Sequence, residues 1–465
     1  MLIHSKILLE DFGNMSLVYL LLLIFGPQFT VQSTRYDGHQ VLRVFTSSVD
    51  KNEEIKNIID KYALDVWRRN WHDKSVEIQV NPDILPFVTR ELHSKNVLFS
   101  RWIPDIQSVI DKQDLSNKDI DKDIKKTFHH GIQGFSLSKY NKFDQITAFI
   151  LNLKVKSFYG PSGEEIVVDY KEAGLTYEGN PIHLLKIYKP GITKKAIFIE
   201  GGIHAREWIS PAFVLYFINE LVNNPSRSTE IEDLVEAYDW YIIPVLNPDG
   251  YIYTQTNDRL WRKNRRPILN EKDSTKSKRA HDHQRCYGVD INRNFGYMWN
   301  PTTSKDHGAS SISCSLIYGG SHPFSEREST VVKRIVEDVK IDFISYLSFH
   351  SYGQYWMYPW AFTSDYPPDV EDLDTGAQIA REAIGQRYNT NYTIGSVFNV
   401  LYAATGVSID YAKGDAGIKY SYTCELRGKD HYGFLLPKAQ IIPTCKETMD
   451  AMLAVVNFLK TAPQT

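Results

Sequence analysis

Four apolar runs in this chain each end in polar residues whose types suit metal or acid–base chemistry. Each run starts with a stretch rich in Ile, Val, Phe and Tyr, which predicts a buried β-strand. The runs span residues 196–208, 240–251, 343–353 and 418–428. Ligands of open α/β sheets bind in the crevice outside the carboxyl ends of the strands. Three of the predicted strands lead to side chains that are expected to meet there, namely His204 with Glu207, His350, and Glu425.

His204 and Glu207 have the spacing of a zinc site in which two ligands are close in sequence and the third is distant. His350 is the natural third ligand because it also ends a predicted strand. Alone, the H-x-x-E pair could be an exposed ion pair in the first turn of a helix. Here it follows a buried strand and Gly201-Gly202, which allows a tight backbone turn, so the context favours a metal site.

A zinc site of this kind needs further charged groups, and the sequence offers candidates for them. Zinc lowers the pKa of a bound water to about 7, and a base must then take the proton. Glu425 is the candidate base, with a salt bridge to Arg427 as the alternative. Arg262 and Arg293 could stabilise an oxyanion or bind a free carboxylate, or be surface arginines. Asp290 could accept the second ring proton of a ligating histidine.

The composition is that of a globular protein, with 465 residues, 42% apolar residues and a net charge of −3. This charge gives no reason to expect nucleic acid or a membrane as a partner. The apolar run at 17–25 is shorter than the roughly 18 residues that span a bilayer. It predicts a signal peptide over 1–33, possibly starting at Met15, and hence a secreted protein; a buried N-terminal helix is the alternative.

Residues 34–110 predict a small independent α/β unit, followed by a charged connection over 111–126. Lys125-Lys126 ends this connection and is a plausible cleavage site, with an uncleaved linker as the alternative. Strands and helices alternate from there to the C-terminus, which predicts a mixed sheet with helices on both faces. Asn391 begins an N-x-T glycosylation sequon, which predicts that this segment is exposed.

The motifs together resemble the secreted metallocarboxypeptidases of the A/B type. The resemblance is carried by GGIHAREWISP, NPDGY, LWRK, DINRNFG, SFHSYGQ, LYAATG and YTCELRGKDHYGFLLP. Their order and spacing match from about residue 135 to 458, and residues 36–110 resemble the family's inhibitory prosegment. The resemblance implies an α/β fold with a mixed eight-stranded doubly wound sheet, preceded by an open-sandwich prosegment. It also implies a catalytic domain over 127–465, released when an activating protease cuts the connection.

The resemblance assigns roles to individual residues of one site. One Zn²⁺ per chain would be held by His204, Glu207 and His350. Glu425 would act as general base and acid, and Arg262 would stabilise the oxyanion. The C-terminal carboxylate of a peptide substrate would be bound by Asn292, Arg293 and Tyr402. The next subsites would be lined by Arg206 and Tyr352. A monomeric enzyme is expected, and an inactive homologue that only binds C-terminal peptides is disfavoured because every catalytic position is filled.

Substrate preference is predicted from Ile409, which in the family lies at the base of the pocket for the C-terminal side chain. An apolar floor favours apolar or aromatic side chains, whose burial contributes about 1.5–3 kcal/mol. Asp410 is the next residue, so a shift of one position would instead predict the basic preference of the B subtype. Val407 replaces a usual glycine beside the pocket, which predicts less room for the largest aromatic side chains.

The chain has four cysteines, which can pair in three ways. The resemblance implies a disulfide between Cys286 and Cys314. Cys424 and Cys445 are unusual for the family; a second bridge between them is expected, with a buried thiol at Cys424 as the alternative.

Overall fold

The segment that resembles a prosegment contains four short strands. Alternating apolar residues of these strands pack against two helices that cover one face of the sheet. The computed structural model describes residues 33–46, 48–70, 74–118, 134–160, 162–191, 194–223, 229–268, 286–302 and 308–463. The prosegment elements are β1 (Gln40–Phe45), α1 (Val49–Tyr62), β2 (Asp65–Asn70), β3 (Ser75–Val80), α2 (Leu85–Ser94), β4 (Phe99–Ile103) and α3 (Ile106–Lys118). The strands form an antiparallel sheet in the order β2-β3-β1-β4. Leu42, Val44 and Ile78 of this sheet pack against Ile55 and Ile59 of α1, which agrees with the predicted open sandwich.

The remainder of the described chain alternates strands and helices, as the sequence predicts. Its strands are β5 (Phe158–Tyr159), β6 (Glu165–Leu175), β7 (Pro181–Tyr188), β8 (Ala196–Gly201), β9 (Asp239–Ile243), β10 (Phe343–Ser351), β11 (Tyr355–Tyr358), β12 (Thr393–Ser396) and β13 (Tyr420–Leu426). Its helices are α4 (Phe143–Lys154), α5 (Ile209–Asn223), α6 (Thr229–Ala237), α7 (Pro248–Thr256), α8 (Arg327–Val336), α9 (Val370–Tyr388), α10 (Val397–Val400), α11 (Ser408–Gly414) and α12 (Ile441–Thr461).

These strands form one mixed sheet in the order β12-β11-β13-β10-β8-β9-β7-β6-β5. The central strands β13, β10, β8 and β9 are parallel neighbours, and antiparallel strands flank them. Side chains alternate between two apolar cores, one on each face: Ile197 and Ile199 belong to one, Ala196 and Phe198 to the other. The predicted mixed sheet with helices on both faces is therefore confirmed. It has nine strands rather than eight, because the two-residue β5 extends its edge.

The predicted end of the prosegment at residue 110 does not coincide with the end of a structural element. Helix α3 continues past residue 110 into the predicted connection. Lys125-Lys126 and Met15 lie outside the described residues, as does the predicted signal peptide except for its last residue. Contacts divide the chain after Thr34, and Arg35–Thr465 form one unit that contains both sheets. Within the described residues, no helix combines the length and apolarity needed to cross a membrane.

One cysteine pairing agrees with the expectation and the other does not. Cys286 and Cys314 form a disulfide with their Cα atoms 5.0 Å apart. Cys424 and Cys445 are both free, so the expected second bridge is wrong. The two thiols are buried on different elements, β13 and α12, and the Cys445 Sγ lies 4.0 Å from the Ala212 carbonyl oxygen. The alternative, a buried thiol at Cys424, is what the structure has.

Candidate active site

The parallel centre of the sheet brings the predicted chemical residues to one edge. In the register of β10 with β13, His350 lies directly opposite Glu425. Strand β8 pairs with the other side of β10 and then turns at Gly202, whose φ is +65°. A Cβ at Gly202 would lie 3.0 Å from the Pro211 ring, so the turn towards His204 requires glycine. The tight turn predicted from the sequence is confirmed.

His204, Glu207 and His350 form the one group of metal-ligating side chains found among the described residues, with one ligand atom from each within 4.8 Å of the others. The Nδ1 atoms of the two histidines are 3.1 Å apart. Glu207 Oε1 lies 2.8 Å from His204 Nδ1, and Glu207 Oε2 lies 3.2 Å from His350 Nδ1. Burial opposes ionisation of Glu207, but the adjacent histidine rings hold its pKa below the usual value. Two imidazoles and a carboxylate that converge in this way suit zinc.

The surroundings of the Nε2 atoms of His204 and His350 are compatible with metal binding through Nδ1. His204 Nε2 is 3.3 Å from Asp290 Oδ1, the residue that the sequence suggested as a histidine partner. His350 Nε2 is 2.8 Å from Ser348 Oγ. The His350 ring is hydrogen-bonded at Nε2, so its Nδ1 lone pair is directed at the other ligands. His204 Nε2 makes no hydrogen bond among the described residues, but the neighbouring Asp290 carboxylate favours a proton there. The three residues therefore fit the zinc ion that the sequence predicts.

Glu425 and Arg262 line the same cavity as the three metal-ligating residues. Glu425 Oε2 is buried without a hydrogen-bond partner among the described residues. Burial, together with the charge of Glu207, raises the pKa of Glu425. Arg262 donates through Nε and Nη2 to Asp290 at 3.0 and 2.9 Å, and its Nη1 lies 3.7 Å from Glu207 Oε1. A carboxyl group able to exchange a proton and a fixed guanidinium thus adjoin the ligand cluster.

Asn292, Arg293 and Tyr402 lie on the cavity wall, as predicted. Arg293 donates through Nε to the Gly308 carbonyl and through Nη1 to that of Asn292. Its guanidinium carbon lies 5.9 Å from the Tyr402 ring centre. Asn292 Oδ1 accepts a bond from the backbone of Ser408 at 2.9 Å. These contacts fix the three groups side by side, where they could bind an anion.

The rest of the cavity wall is mostly apolar and includes Ile409. Its side chains from the catalytic part include Met357, Ala361, Val397, Leu401, Ala404, Val407, Ile409 and Thr423. Asp410 faces elsewhere: its carboxylate accepts bonds from the backbone N–H of Ala361 at 3.0 and 3.1 Å and of Phe362 at 3.3 Å. Burial raises the pKa of Asp410 to about 7. The sequence alone left the choice between these neighbours open, and the apolar one lines the cavity.

The prosegment reaches into this cavity through β2, which sequence reasoning did not foresee. Trp67 and Arg68 line the cavity beside the ligand cluster. Asp65 Oδ2 accepts a 2.7 Å bond from Arg206. On β3, Glu77 Oε2 accepts a 2.5 Å bond from the Tyr352 hydroxyl. Arg206 and Tyr352, which the sequence suggested as substrate subsites, are therefore occupied by prosegment carboxylates.

A buried carboxylate of β8, Glu200, was also missed. It lies within the apolar run AIFIEGG and is fully buried beside Ser348 and Ser408. A charged residue inside an apolar strand was the available signal. Asn391, the sequon residue, is exposed between α9 and β12, as its sequon predicts.

Comparison with known proteins agrees with this geometry. Residues 164–451 match the family described as zinc carboxypeptidase, and residues 42–113 match the carboxypeptidase activation peptide. Carboxypeptidase B of Astacus astacus is 44% identical over 70% of this chain and 98% of its own length. Mast cell carboxypeptidase A of Homo sapiens is 33% identical over 94% of this chain and 97% of its own length.

Solved structures show the same architecture. Thrombin activatable fibrinolysis inhibitor superposes with a TM-score of 0.76 at 31% identity, covering 91% of this chain and 100% of that one. Carboxypeptidase A from Helicoverpa armigera gives 0.78 at 27% identity, covering 92% and 99%. The chain therefore belongs to the zinc carboxypeptidase family and is a metallocarboxypeptidase of the A/B type with an N-terminal activation peptide.

Proposed function

We propose that this metallocarboxypeptidase removes apolar or aromatic residues from the C-termini of peptides and proteins. The observation that carries the preference is the position of Ile409 in an apolar cavity wall, with the carboxylate of Asp410 bound to the backbone of Ala361 and Phe362. An apolar side chain buried there gains free energy by leaving water, whereas a buried lysine or arginine would lack a counter-charge.

One Zn²⁺ would be held by His204, Glu207 and His350. When bound, zinc acidifies a water molecule and polarises a carbonyl group. Glu425 takes a proton at its unpartnered Oε2 and returns it to the leaving amine, a role that its raised pKa suits near neutral pH. Arg262 is held by Asp290, which leaves Nη1 to stabilise the developing oxyanion.

Recognition of the chain end would fall to Asn292, Arg293 and Tyr402. The Arg293 guanidinium supplies a fixed positive charge for a free carboxylate, because two of its nitrogens are already anchored to backbone carbonyls. The Tyr402 ring lies against this guanidinium. A requirement for a free carboxylate makes the enzyme an exopeptidase. Once the prosegment leaves, Arg206 and Tyr352 are released for residues further from the scissile bond.

Basic specificity is the second candidate, favoured by the B-type name of the Astacus astacus relative. Activated enzyme is offered peptides that differ only in a C-terminal Phe, Leu or Arg, each also as the C-terminal amide. Apolar preference predicts that Phe and Leu are released faster than Arg and that no amide is cleaved. The I409D variant should gain Arg release and lose Phe release. Faster release of Arg by the unmodified enzyme would refute the preference, and cleavage of amides would refute the role of Arg293.

The chain would be secreted through the signal peptide over 1–33 and act as a monomer after a protease cuts the 111–126 connection. Limited trypsin treatment should produce activity together with a new N-terminus in or near that connection. A chelator should remove this activity, and added zinc should restore it. An active uncut chain would contradict the zymogen assignment of that connection.

A further inference from the structure

The geometry points to Glu200 as a positioning residue that fixes the ring of the metal ligand His350 through the hydroxyl of Ser348. This inference rests on the proposed zinc site, because it concerns how one ligand of that site is held. His204 has a carboxylate, Asp290, at its outer nitrogen. His350 has only a hydroxyl there, and that hydroxyl leads to Glu200.

Strand geometry places these groups together. Ser348 and His350 are two residues apart on β10, so both face the same side of the sheet. In the parallel register of β8 with β10, Glu200 lies directly opposite Ser348. Ser348 Oγ donates to Glu200 Oε1 at 2.7 Å and lies 2.8 Å from His350 Nε2. At most 2% of any of these three residues is exposed, so water does not replace these partners.

The proton count sets the direction of the bonds. Glu200 Oε1 also accepts the Ser408 hydroxyl at 3.1 Å, so it receives two hydroxyl protons. With Glu200 as a carboxylate, which can only accept, the single hydroxyl proton of Ser348 is donated to Glu200, and Ser348 Oγ accepts the proton of His350 Nε2. His350 is left with its lone pair on Nδ1, which lies 3.2 Å from Glu207 Oε2 and 3.1 Å from His204 Nδ1. This is the tautomer that can bind a metal with the other two ligands.

The burial of Glu200 argues that the carboxyl group serves this purpose. Glu200 has no exposed surface, and no ion pair joins it to a lysine or arginine in the described part of the chain. A carboxyl group in such surroundings is costly to fold, so a purely structural position would be served better by an apolar residue. Its polar neighbours are Ser348, Ser408 and Tyr346.

The test measures the zinc affinity of the uncut zymogen by competition with a chromogenic chelator. E200L removes the acceptor at similar volume, and S348A removes the link. Each should weaken zinc binding by at least about tenfold, the usual effect of losing a group that orients a ligand. E200Q, whose side-chain carbonyl can still accept both hydroxyls, should retain most of the affinity. Because both substitutions break the same chain of hydrogen bonds, their effects should not add. The E200L/S348A double variant should have about the same zinc affinity as the single variant that binds zinc less tightly.

S345A is the matched control. Ser345 is also buried on β10, but its hydroxyl donates to the Tyr420 carbonyl at 2.7 Å and reaches no histidine. S345A should keep its zinc affinity, and urea unfolding of the zinc-free proteins separates loss of stability from loss of binding. If E200L does not fold, the zinc affinity of S348A is compared with that of S345A, and a loss in S348A alone supports the proposal. Unchanged zinc affinity in the variants, equal loss in S345A, or additive losses would overturn the role of Glu200. A wild-type zymogen that binds no zinc would instead overturn the proposed site.

Discussion

At the end of strand β13, the charged side chains of Glu425 and Arg427 have different partners. Arg427 binds Glu447 of α12 through Nε at 2.7 Å and donates through Nη1 to Gln440 at 2.7 Å. The salt bridge between Glu425 and Arg427 that the sequence left open is therefore not formed, since Arg427 has its own buried carboxylate. Glu425 Oε2 keeps a free lone pair in the cavity. Arg427 therefore links β13 to α12, whereas Glu425 is left available in the cavity.

Replacing Glu425 by glutamine should lower kcat by about 10²–10⁴-fold, the usual contribution of a general base. Zinc content should remain near one per chain, because Glu425 is not among the three converging ligands. Rates on a C-terminal Phe peptide and metal analysis of the activated enzyme test both parts.

E328Q is the control for this exchange. Glu328 is a buried carboxyl group that does not line the cavity, and burial raises its pKa to about 8, so glutamine resembles its neutral form. E328Q should turn over substrate like the unmodified enzyme. Turnover by E425Q at a comparable rate would show that another group moves the proton.

At the scale of elements, the sequence predicts the strands that carry the site because their signals are local. An apolar run followed by a polar residue identifies β8, β9, β10 and β13, and parallel neighbours must end at one edge. Glu200 could not be assigned a partner because Ser348 and Ser408 are 148 and 208 residues away. The cysteine expectation failed for a similar reason: sequence shows that Cys424 and Cys445 exist but not where their thiols face.

His183 on β7 gives the packing of α4 against the sheet a specific pH dependence. Its Nε2 is 2.9 Å from Thr147 of α4, its Nδ1 is 3.1 Å from the Tyr170 hydroxyl of β6, and its ring stacks on Phe143. Burial lowers the pKa of His183 to about 4 from 6.5. The unfolded chain therefore binds a proton at higher pH than the folded one, so stability is complete above about pH 6.5 and is lost as pH falls towards 4.

Replacing His183 by glutamine should remove this dependence. The difference in unfolding free energy between pH 7.5 and pH 4.5 should shrink by about 2–3 kcal/mol, the order expected for a shift of this size. Urea titrations at both pH values measure it. H322Q changes an exposed histidine and should leave the dependence as it is. If the unfolding free energy of H183Q changes between the two pH values as much as that of the unmodified protein, protonation of His183 does not cause the loss of stability.

At the scale of the whole molecule, the prosegment and the catalytic part share a buried boundary. Trp67 lies 5.1 Å from the Phe434 ring and 6.4 Å from the Tyr352 ring, and Trp102 stacks on Tyr352 at 5.9 Å. Arg68 is 4% exposed and binds Glu77 at 2.8 Å. Local patterns predict a small α/β unit over 34–110, but not which of its residues contact the catalytic part, because such contacts depend on docking. The sequence thus predicts the prosegment but not the residues through which it contacts the catalytic part.

Trp67 should be the main residue that keeps the cavity closed in the uncut chain. It is 6% exposed and lies against Phe434 and Tyr352 at the cavity wall. Truncating such a central aromatic residue costs an interface about 2 kcal/mol or more, which corresponds to about 30-fold in the open population. The W67A zymogen should therefore hydrolyse a small peptide about 30-fold faster than the unmodified zymogen. Rates measured before and after trypsin separate closure from chemistry, because the enzyme released from both zymogens is the same.

F87A is the matched control, since Phe87 is a prosegment aromatic residue that is 54% exposed, and its zymogen should stay as inactive as the unmodified one. An uncut W67A chain with no gain in activity over F87A would show that other prosegment contacts, such as Asp65 with Arg206, are sufficient to hold the cavity closed.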